Sequence, residues 1–442
     1  MKFRSIFLFA LIIVSLPATA KPPIPAENES GIRLRDFLGA VYLVDSSLGK
    51  RMGIGWSRTP FYWTGGPGWI SIEPKKGEWS WDAADRFVKG AHAQGIEVVP
   101  ILAYTASWDE SVPGNGFAPP ADRLEWENYV RHVVAHYSKP PFNLRYFQIW
   151  NEPTIQAGFW AGKTNLAYID DVYLPAAMII RQYHCRVVFG GWPCGNSMQE
   201  YDRELRWHNA WRYTDILDIH YDPITDWQYL YDRWVKTGKC RGIWQTEIGF
   251  VDFPNYLPNY YLRALHWALT HRWKHPNQYK LFWYAAWGAG PDGSKCFTTT
   301  GASGKIVMSQ HGERLAVINR LLGGAPLHAY NKFTCHPDLP PAIDEENPTV
   351  LGFQVGRKRI VVALILDHAT LTKNTDIRIT LPIARSKIRL LSVTGSSMPI
   401  QLVSQSHHSI VTLPASDFHF RLARNYGHRW DAAIAYLVID RK

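Results

Sequence analysis

The chain has 442 residues, a formal net charge of +10 and 14% aromatic side chains. That length holds a large domain plus a smaller one. Lys and Arg are scattered rather than blocked, which argues against a nucleic-acid partner and for a solvated basic exterior, with an anionic polysaccharide as the alternative the charge leaves open. The five cysteines, Cys185, Cys194, Cys240, Cys296 and Cys335, show no metal-ligand spacing, and their odd number leaves at least one free. Cys185 and Cys194 lie beyond opposite ends of a short predicted strand, too far apart to join, and Cys296 with Cys335 is the pairing left open.

Residues 1–20 read as an export signal: Lys2 and Arg4, an apolar run over 5–16, then Ala18-Thr19-Ala20 before Lys21. The run is shorter than the ~18 residues a span needs, so the expected product is exported, periplasmic or secreted, without a stable membrane span. Residues 21–34 are a proline-rich lead-in. From there strand and helix signals alternate. Strands are predicted at 37–43, 52–57 (ending at Arg58), 96–102, 144–150, 187–190, 216–221, 242–246 and 280–287, and helices at 82–94, 122–138, 164–184, 200–211, 226–236, 259–273 and 310–322. Eight strand signals within about 250 residues imply an α/β fold, a closed (β/α)8 TIM barrel over residues 35–325. Gly323-Gly324-Ala325-Pro326 marks a boundary. Beyond it, residues 326–442 carry short branched strands at 350–355, 359–366, 376–381, 388–393 and 409–413, an antiparallel, sandwich-like accessory domain to which 21–36 or 424–442 are candidates to add strands.

Residues 144–154, Leu-Arg-Tyr-Phe-Gln-Ile-Trp-Asn-Glu-Pro-Thr, organise the rest. The aromatic and branched run is a buried strand, and Pro153 ends it because it lacks the N–H of a ladder and restricts the residue before it. Glu152 is thereby placed at a strand's carboxyl end. Glu247 has the same setting after Gly-Ile-Trp-Gln-Thr at 242–246. Barrel loops converge at that face, and two carboxyls facing one gap are what cleavage of an acetal needs: one protonates the departing oxygen, the other attacks the anomeric carbon. Glu73, Glu78 and Asp109 are the competing carboxylates and are expected as caps or loop ion pairs. Aromatic rings stack on sugar faces, and Trp63, Trp69, Trp108 and Trp160 lie on loops expected to ring such a cleft, although most of the rings in the chain must fill its core.

Trp150-Asn151-Glu152-Pro153, with Thr246-Glu247 and Trp287 later, resembles the clan of retaining glycoside hydrolases built on an eight-stranded barrel, most closely family 39 and the periplasmic exopolysaccharide-associated glycosidases. The resemblance covers residues 35–325. It implies Glu152 as acid/base, Glu247 as nucleophile, Asn151 as donor to the sugar 2-hydroxyl and Arg58 as the basic residue beside the nucleophile. It also implies His220 or Tyr221 as strand-six contacts and Trp287 as the strand-eight ring under the sugar. Thr154 stands where many members have Asn, and Ile248-Gly249 where xylosidase-type members often have an aromatic.

The expected activity is retaining, two-step hydrolysis of β-linked polysaccharide or oligosaccharide, endo-acting, with a bacterial exopolysaccharide as one substrate class. It needs no metal and no organic cofactor, and the enzyme is expected to be a monomer. The alternatives are an exo-acting β-xylosidase-like enzyme, transglycosylation by the same glutamates, and a non-catalytic polysaccharide-binding or assembly protein.

Overall fold

Eight short parallel strands close into a ring: β1 (Leu38–Val41), β2 (Trp56–Thr59), β3 (Glu97–Leu102), β4 (Tyr146–Ile149), β5 (Arg186–Val188), β6 (Ile216–His220), β7 (Gly242–Gly249) and β8 (Tyr279–Tyr284). The ring closes where Leu38 of β1 stands opposite Leu281 of β8, and Val188 of β5 opposite Ile216 of β6. This computed structural model describes residues 31–43, 46–59, 68–271, 273–366, 376–383, 387–404, 407–413 and 432–441. The predicted export signal at 1–20 and Trp63 lie outside them.

The strands are rich in branched and aromatic residues because helices cover the outside while side chains fill the inside. Trp56, Val99, Tyr146, Val188, Ile216, Trp244 and Phe282 form one buried cluster within the barrel. Its rings pack closely, Trp56 on Trp244 at 5.5 Å and Tyr146 on Trp244 at 4.9 Å between centroids. Gly39 makes room for this floor, since a Cβ there would overlap the Phe282 ring. Side chains two apart on a strand share a face, so one step onward the interior turns polar: Trp56 leads to Arg58, Tyr146 to Gln148, Ile216 to Asp218 and His220, and Trp244 to Thr246. A dry aromatic floor thus lies beneath a polar layer at the carboxyl ends.

The predicted helix at 122–138 is observed at Arg123–Tyr137, with Asp122 capping it by accepting the Leu124 N–H at 2.9 Å. The helix at 164–184 is interrupted by a π turn, Ile169–Tyr173, just before Pro175, which has no N–H to continue a regular ladder. The helix at 200–211 is shorter than expected, Met198–Arg206, and gives way to a turn with left-handed His208 and Asn209.

Beyond the barrel, a six-stranded antiparallel sheet faces a four-stranded one. Ala433–Asp440, within the 424–442 stretch named from sequence, is central to the larger sheet, pairing with Arg359–Leu366 on one side and Lys387–Ser392 on the other. Alternation decides which way its neighbours point. Val361 and Ala363 join the core shared with the barrel helices, while Ile360, Val362 and Leu364 fill the space between the two sheets. All five cysteines are free, so Cys296 and Cys335 are not joined. No helix of the described residues is long and apolar enough to cross a membrane.

Arg263, on the barrel helix Tyr256–Thr270, fastens the connection into the sheet domain. It is 1% exposed and donates to the carbonyls of Ala342 at 2.9 Å, Asp344 at 2.7 Å and Asn347 at 2.6 Å. Replacing it removes three charge-assisted hydrogen bonds at once and leaves a buried gap where the guanidinium was. Arg263→Met is expected to lower the unfolding free energy by about 3 kcal/mol, measured by denaturant titration.

Candidate active site

Glu152 is presented by a strained turn. Past β4 the backbone is left-handed at Trp150 (φ 66°) and again at Glu152 (φ 47°), a conformation costing about 1–3 kcal/mol at each non-glycine residue. The surroundings hold it there: Trp150 N donates to Leu102 O at 2.8 Å and Glu152 N to Gly190 O at 2.7 Å. The buried Trp150 ring is wedged edge-on against Tyr104, Trp126 and Trp160.

Glu247 reaches the interior by a different device. Strict alternation after Trp244 sends Thr246 inward and the next residue outward. Between β6 and β7, however, Ile219 stands opposite Gln245 and His220 opposite Glu247, so Thr246 is one residue extra. The register with β8 shifts at the same place. This β-bulge re-aims Glu247, and both residues face the cavity.

Arg58, from β2, joins the two segments. Its guanidinium donates to Gln148 Oε1 at 2.7 Å, to Asn151 Oδ1 at 2.6 Å and to Glu247 Oε1. The Arg58 side chain is 1% exposed and that of Glu247 12%. Tyr221, just past β6, donates its hydroxyl to the other Glu247 oxygen at 3.2 Å. Glu247 therefore carries a fixed cation on one oxygen and a hydrogen-bond donor on the other.

Glu152 is held differently. Its Oε1 lies 2.9 Å from His220 Nδ1, and burial raises its pKa above the ordinary carboxylate value while Arg58 pulls the other way. His220 is fully buried and pushed down to about 3 by burial, so its ring is neutral. A Cβ at Gly191 would overlap the His220 ring, so the left-handed turn there has to be glycine.

Arg58, Asn151, Glu152, His220, Tyr221 and Glu247, all named from sequence, meet in this one cavity. His220 touches Glu152 rather than only the Glu247 side. Two aromatic expectations change. Trp160 is 1% exposed, packed edge-on against Trp150 and Tyr168 with its N–H on Thr164 O, and is a core residue rather than part of the cleft rim. Trp287 is not on strand eight, which ends at Tyr284; it lies in a separate two-residue strand and is 47% exposed. Trp69 is buried, with its N–H on Glu73, and Trp108 donates to the Glu73 backbone. Glu73, Glu78 and Asp109 serve loops as expected, accepting from Gly77 N, pairing with Lys75 and accepting from Asp122 N.

Sequence reasoning missed Gln148, Thr246, Asp218, Tyr104 and Tyr284. Asp218 sits two residues before His220 on β6, so two-residue alternation was the signal that could have found it, whereas Thr246 enters the cavity beside Glu247 only through the bulge. Tyr104 hydrogen-bonds Asn151, and burial pushes its hydroxyl well above the usual phenol range. Tyr284 is pushed up to about 12, by burial first and then by Tyr42 and Glu247. As to metals, one donor atom each from Glu152, His220 and Glu247 lie within 4.8 Å of one another. A cation entering there would meet the Arg58 charge already seated on Glu247.

With that geometry in hand, comparison with known proteins identifies the architecture. The structure superposes on a family 39 glycoside hydrolase of Bacteroides cellulosilyticus with a TM-score of 0.62, at 18% identity over 92% of this chain and 81% of that one. A family 39 β-xylosidase of Caulobacter crescentus gives a TM-score of 0.60 at 12% identity, covering 93% and 97%. The fold is that of the barrel glycoside hydrolases. A family 30 endoxylanase of Clostridium papyrosolvens follows at a TM-score of 0.56 and 15% identity, covering 93% and 97%. In sequence, a β-xylosidase of Caldicellulosiruptor saccharolyticus is 31% identical over 77 residues, a match spanning 16% of this chain and 15% of that protein. No family model matches the chain.

Because Arg58 is the group that lowers the Glu152 pKa, Arg58→Met is expected to raise the midpoint at which that carboxyl titrates. Carboxylate NMR on the folded variant, with Glu152 assigned by Glu152→Gln, reads the shift, and a midpoint that stays or falls contradicts it.

Proposed function

We propose that this chain is a retaining β-glycosidase, exported to the periplasm or beyond, with Glu152 as general acid and base and Glu247 as nucleophile. The observation that carries the reading is the pair itself: two carboxylates from distant segments share one cavity, with an oxygen of each within 4.8 Å of the other. Retaining pairs stand ~5–5.5 Å apart and inverting pairs ~6.5–9.5 Å, the extra room being for a water. Their surroundings differ in the sense the chemistry asks for. Glu247, with a guanidinium and a phenol on its oxygens, suits the attacking carboxylate, and the drier Glu152 suits the proton donor.

In the first step a Glu247 oxygen bonds to the anomeric carbon while the bond to the leaving oxygen breaks and Glu152 passes its proton to that oxygen. In the second, Glu152 takes a proton from water, whose oxygen bonds to the anomeric carbon as Glu247 departs. Asn151, its carbonyl oxygen held by Arg58, keeps its amide N–H as donor to the 2-hydroxyl. A sugar hydroxyl in place of water in the second step would give transglycosylation.

The substrate is a β-linked oligosaccharide or polysaccharide, an exopolysaccharide among the candidates. Internal cleavage is supported by an aromatic rim: Tyr42, Phe250 and Trp287, at the carboxyl ends of the adjacent β1, β7 and β8, are all exposed and offer sugar-sized faces to a longer chain. The β-xylosidase likenesses favour the second reading, release of terminal xylose, so xylo-oligosaccharides belong first in the substrate panel. Early products of mixed length support internal cleavage, and monomer alone from the start overturns it.

Glu247→Gln is expected to lower kcat/KM on an aryl β-glycoside by on the order of 10^4-fold or more, and proton NMR should find the first-formed sugar in the substrate's anomeric configuration. Equal rates for wild type and Glu247→Gln would leave a binding protein instead. The sign of the pH dependence follows from the Glu152 shift. Its pKa is raised, so the acid stays protonated above the ordinary carboxylate range, and kcat/KM falls as pH rises through the raised value. Glu152→Gln should remove that alkaline limb.

A further inference from the structure

His220 is not the end of the hydrogen-bonded chain that begins at Glu152. Its other nitrogen, Nε2, lies 2.9 Å from Thr246 Oγ1, and that hydroxyl lies 2.7 Å from Oδ2 of Asp218, a fully buried carboxyl on β6. We propose that Asp218 and Thr246 are positioning residues that act through His220 to hold Glu152 in its proton-bearing form. The proposal rests on the reading of Glu152 as the general acid.

Counting protons gives the direction. A threonine hydroxyl has one hydrogen, and Asp218 Oδ2 accepts it. Thr246 Oγ1 then has only lone pairs to offer, so His220 Nε2 must be the N–H. A neutral imidazole has one N–H, which leaves a lone pair on Nδ1, facing Glu152 Oε1 at 2.9 Å. Two lone pairs at that distance repel. The contact is a hydrogen bond only when Glu152 carries the proton.

Every hydrogen in the chain can be flipped together, with the proton on Asp218 and Glu152 ionised, so the chain accommodates one proton between its two carboxyls. Asp218 is the end that keeps the negative charge, because its Oδ1 also accepts the Thr246 backbone N–H at 3.0 Å, a donor that cannot rotate away. Among the described residues, the Glu152 carboxyl hydrogen-bonds to His220 alone. Burial pushes both carboxyls toward protonation, the fully buried Asp218 well above the ordinary carboxylate range; Arg58 opposes the rise in both, and the two Thr246 donors oppose it in Asp218 alone. The other titratable groups facing the chain are Arg58 from β2, Glu247 from β7, Asp222 and Tyr221 beyond β6, Cys194 beyond β5, Tyr104 beyond β3, and Tyr168 and Tyr201 from the helices packed near Asp218. The nearest of these carboxylates, Glu247, approaches His220 Nδ1 only to 4.0 Å.

Asp218→Asn is nearly isosteric and reverses the chain. Its carbonyl takes the Thr246 N–H, its amide donates to Thr246 Oγ1, the hydroxyl turns to His220 Nε2, and Nδ1 presents an N–H that favours ionised Glu152. The experiment measures kcat/KM against pH for a phenyl and a 2,4-dinitrophenyl β-glycoside, since only the poorer leaving group needs the acid. Asp218→Asn is expected to move the alkaline limb about one pH unit lower and to lower the phenyl rate at neutral pH about tenfold, sparing the dinitrophenyl rate. An unchanged limb, or equal loss on both substrates, overturns the proposal. Should Asp218→Asn fail to fold, Thr246→Val and Thr246→Ser decide: the limb should move in the first and return in the second, and identical limbs overturn it. Glu152→Gln separates this failure from that of the underlying reading. If it leaves the phenyl rate intact Glu152 is not the acid, and if it removes that rate while Asp218→Asn does nothing, only the chain is refuted.

Discussion

One buried cation holds the upper half of the barrel together. Taking the Arg58 guanidinium out of water costs several kcal/mol, and the cost is offset because a carboxylate and two amide carbonyls converge on it. Those partners come from β4, from the turn beyond it and from β7, so the three segments must deliver side chains to one point near the barrel axis. A closed ring of strands with layered interior residues does that. A planar fork of donors can serve three acceptors at once, where an ammonium on a flexible stem is a point charge. Burial shifts the pKa values of Glu152, Asp218, His220 and Tyr104 most, and the same cation pulls on all four in the downward direction, so one group is felt across the whole cavity.

The floor below decides how strongly that charge is felt. Trp56, Tyr146, Trp244 and Phe282 place aromatic rings beneath the site, with the buried Lys280 ammonium packed against Trp56 and Trp244, and in such a water-poor medium charges interact far more strongly than in water. That is why two glutamates a few ångströms apart are not equivalent: the one against the guanidinium is stabilised as an anion, the one against a neutral imidazole is not. Backbone strain gathers at the same level. Tyr42, Trp150, Tyr221 and Phe250 are each the first residue past their strands, and each is left-handed. The chain turns sharply outward at the mouth, where rigid packing below can hold it.

The order of elements was legible because each strand is a run of apolar residues and each helix has a face and a cap, as Asp122 shows. Glu152 was legible because Pro153 cannot continue a ladder. What alternation and punctuation could not show were contacts between distant segments. Nothing near His220 in sequence says that it meets Glu152, 68 residues away. Trp160 fails for a related reason: an indole on a loop reads the same whether it turns into the core, as this one does, or out to solvent. The sheet domain's central strand, Ala433–Asp440, is apolar from Ala433 to Ile439 and carries no alternation to read. Both of its faces are covered, and period two vanishes.

The bulge in β7 ties these observations to one another. Without the extra residue, alternation would give the cavity Thr246 or Glu247, not both. With it, Glu247 faces Arg58 and Tyr221 while Thr246 reaches Asp218 and His220. One irregularity in one strand therefore shapes the surroundings of both glutamates, and their opposite environments cannot be altered independently. A substitution that restored regular pairing between β6 and β7 would withdraw one side chain from the cavity and leave buried partners, either the Arg58 guanidinium or the His220 and Asp218 pair, without the group that satisfies them.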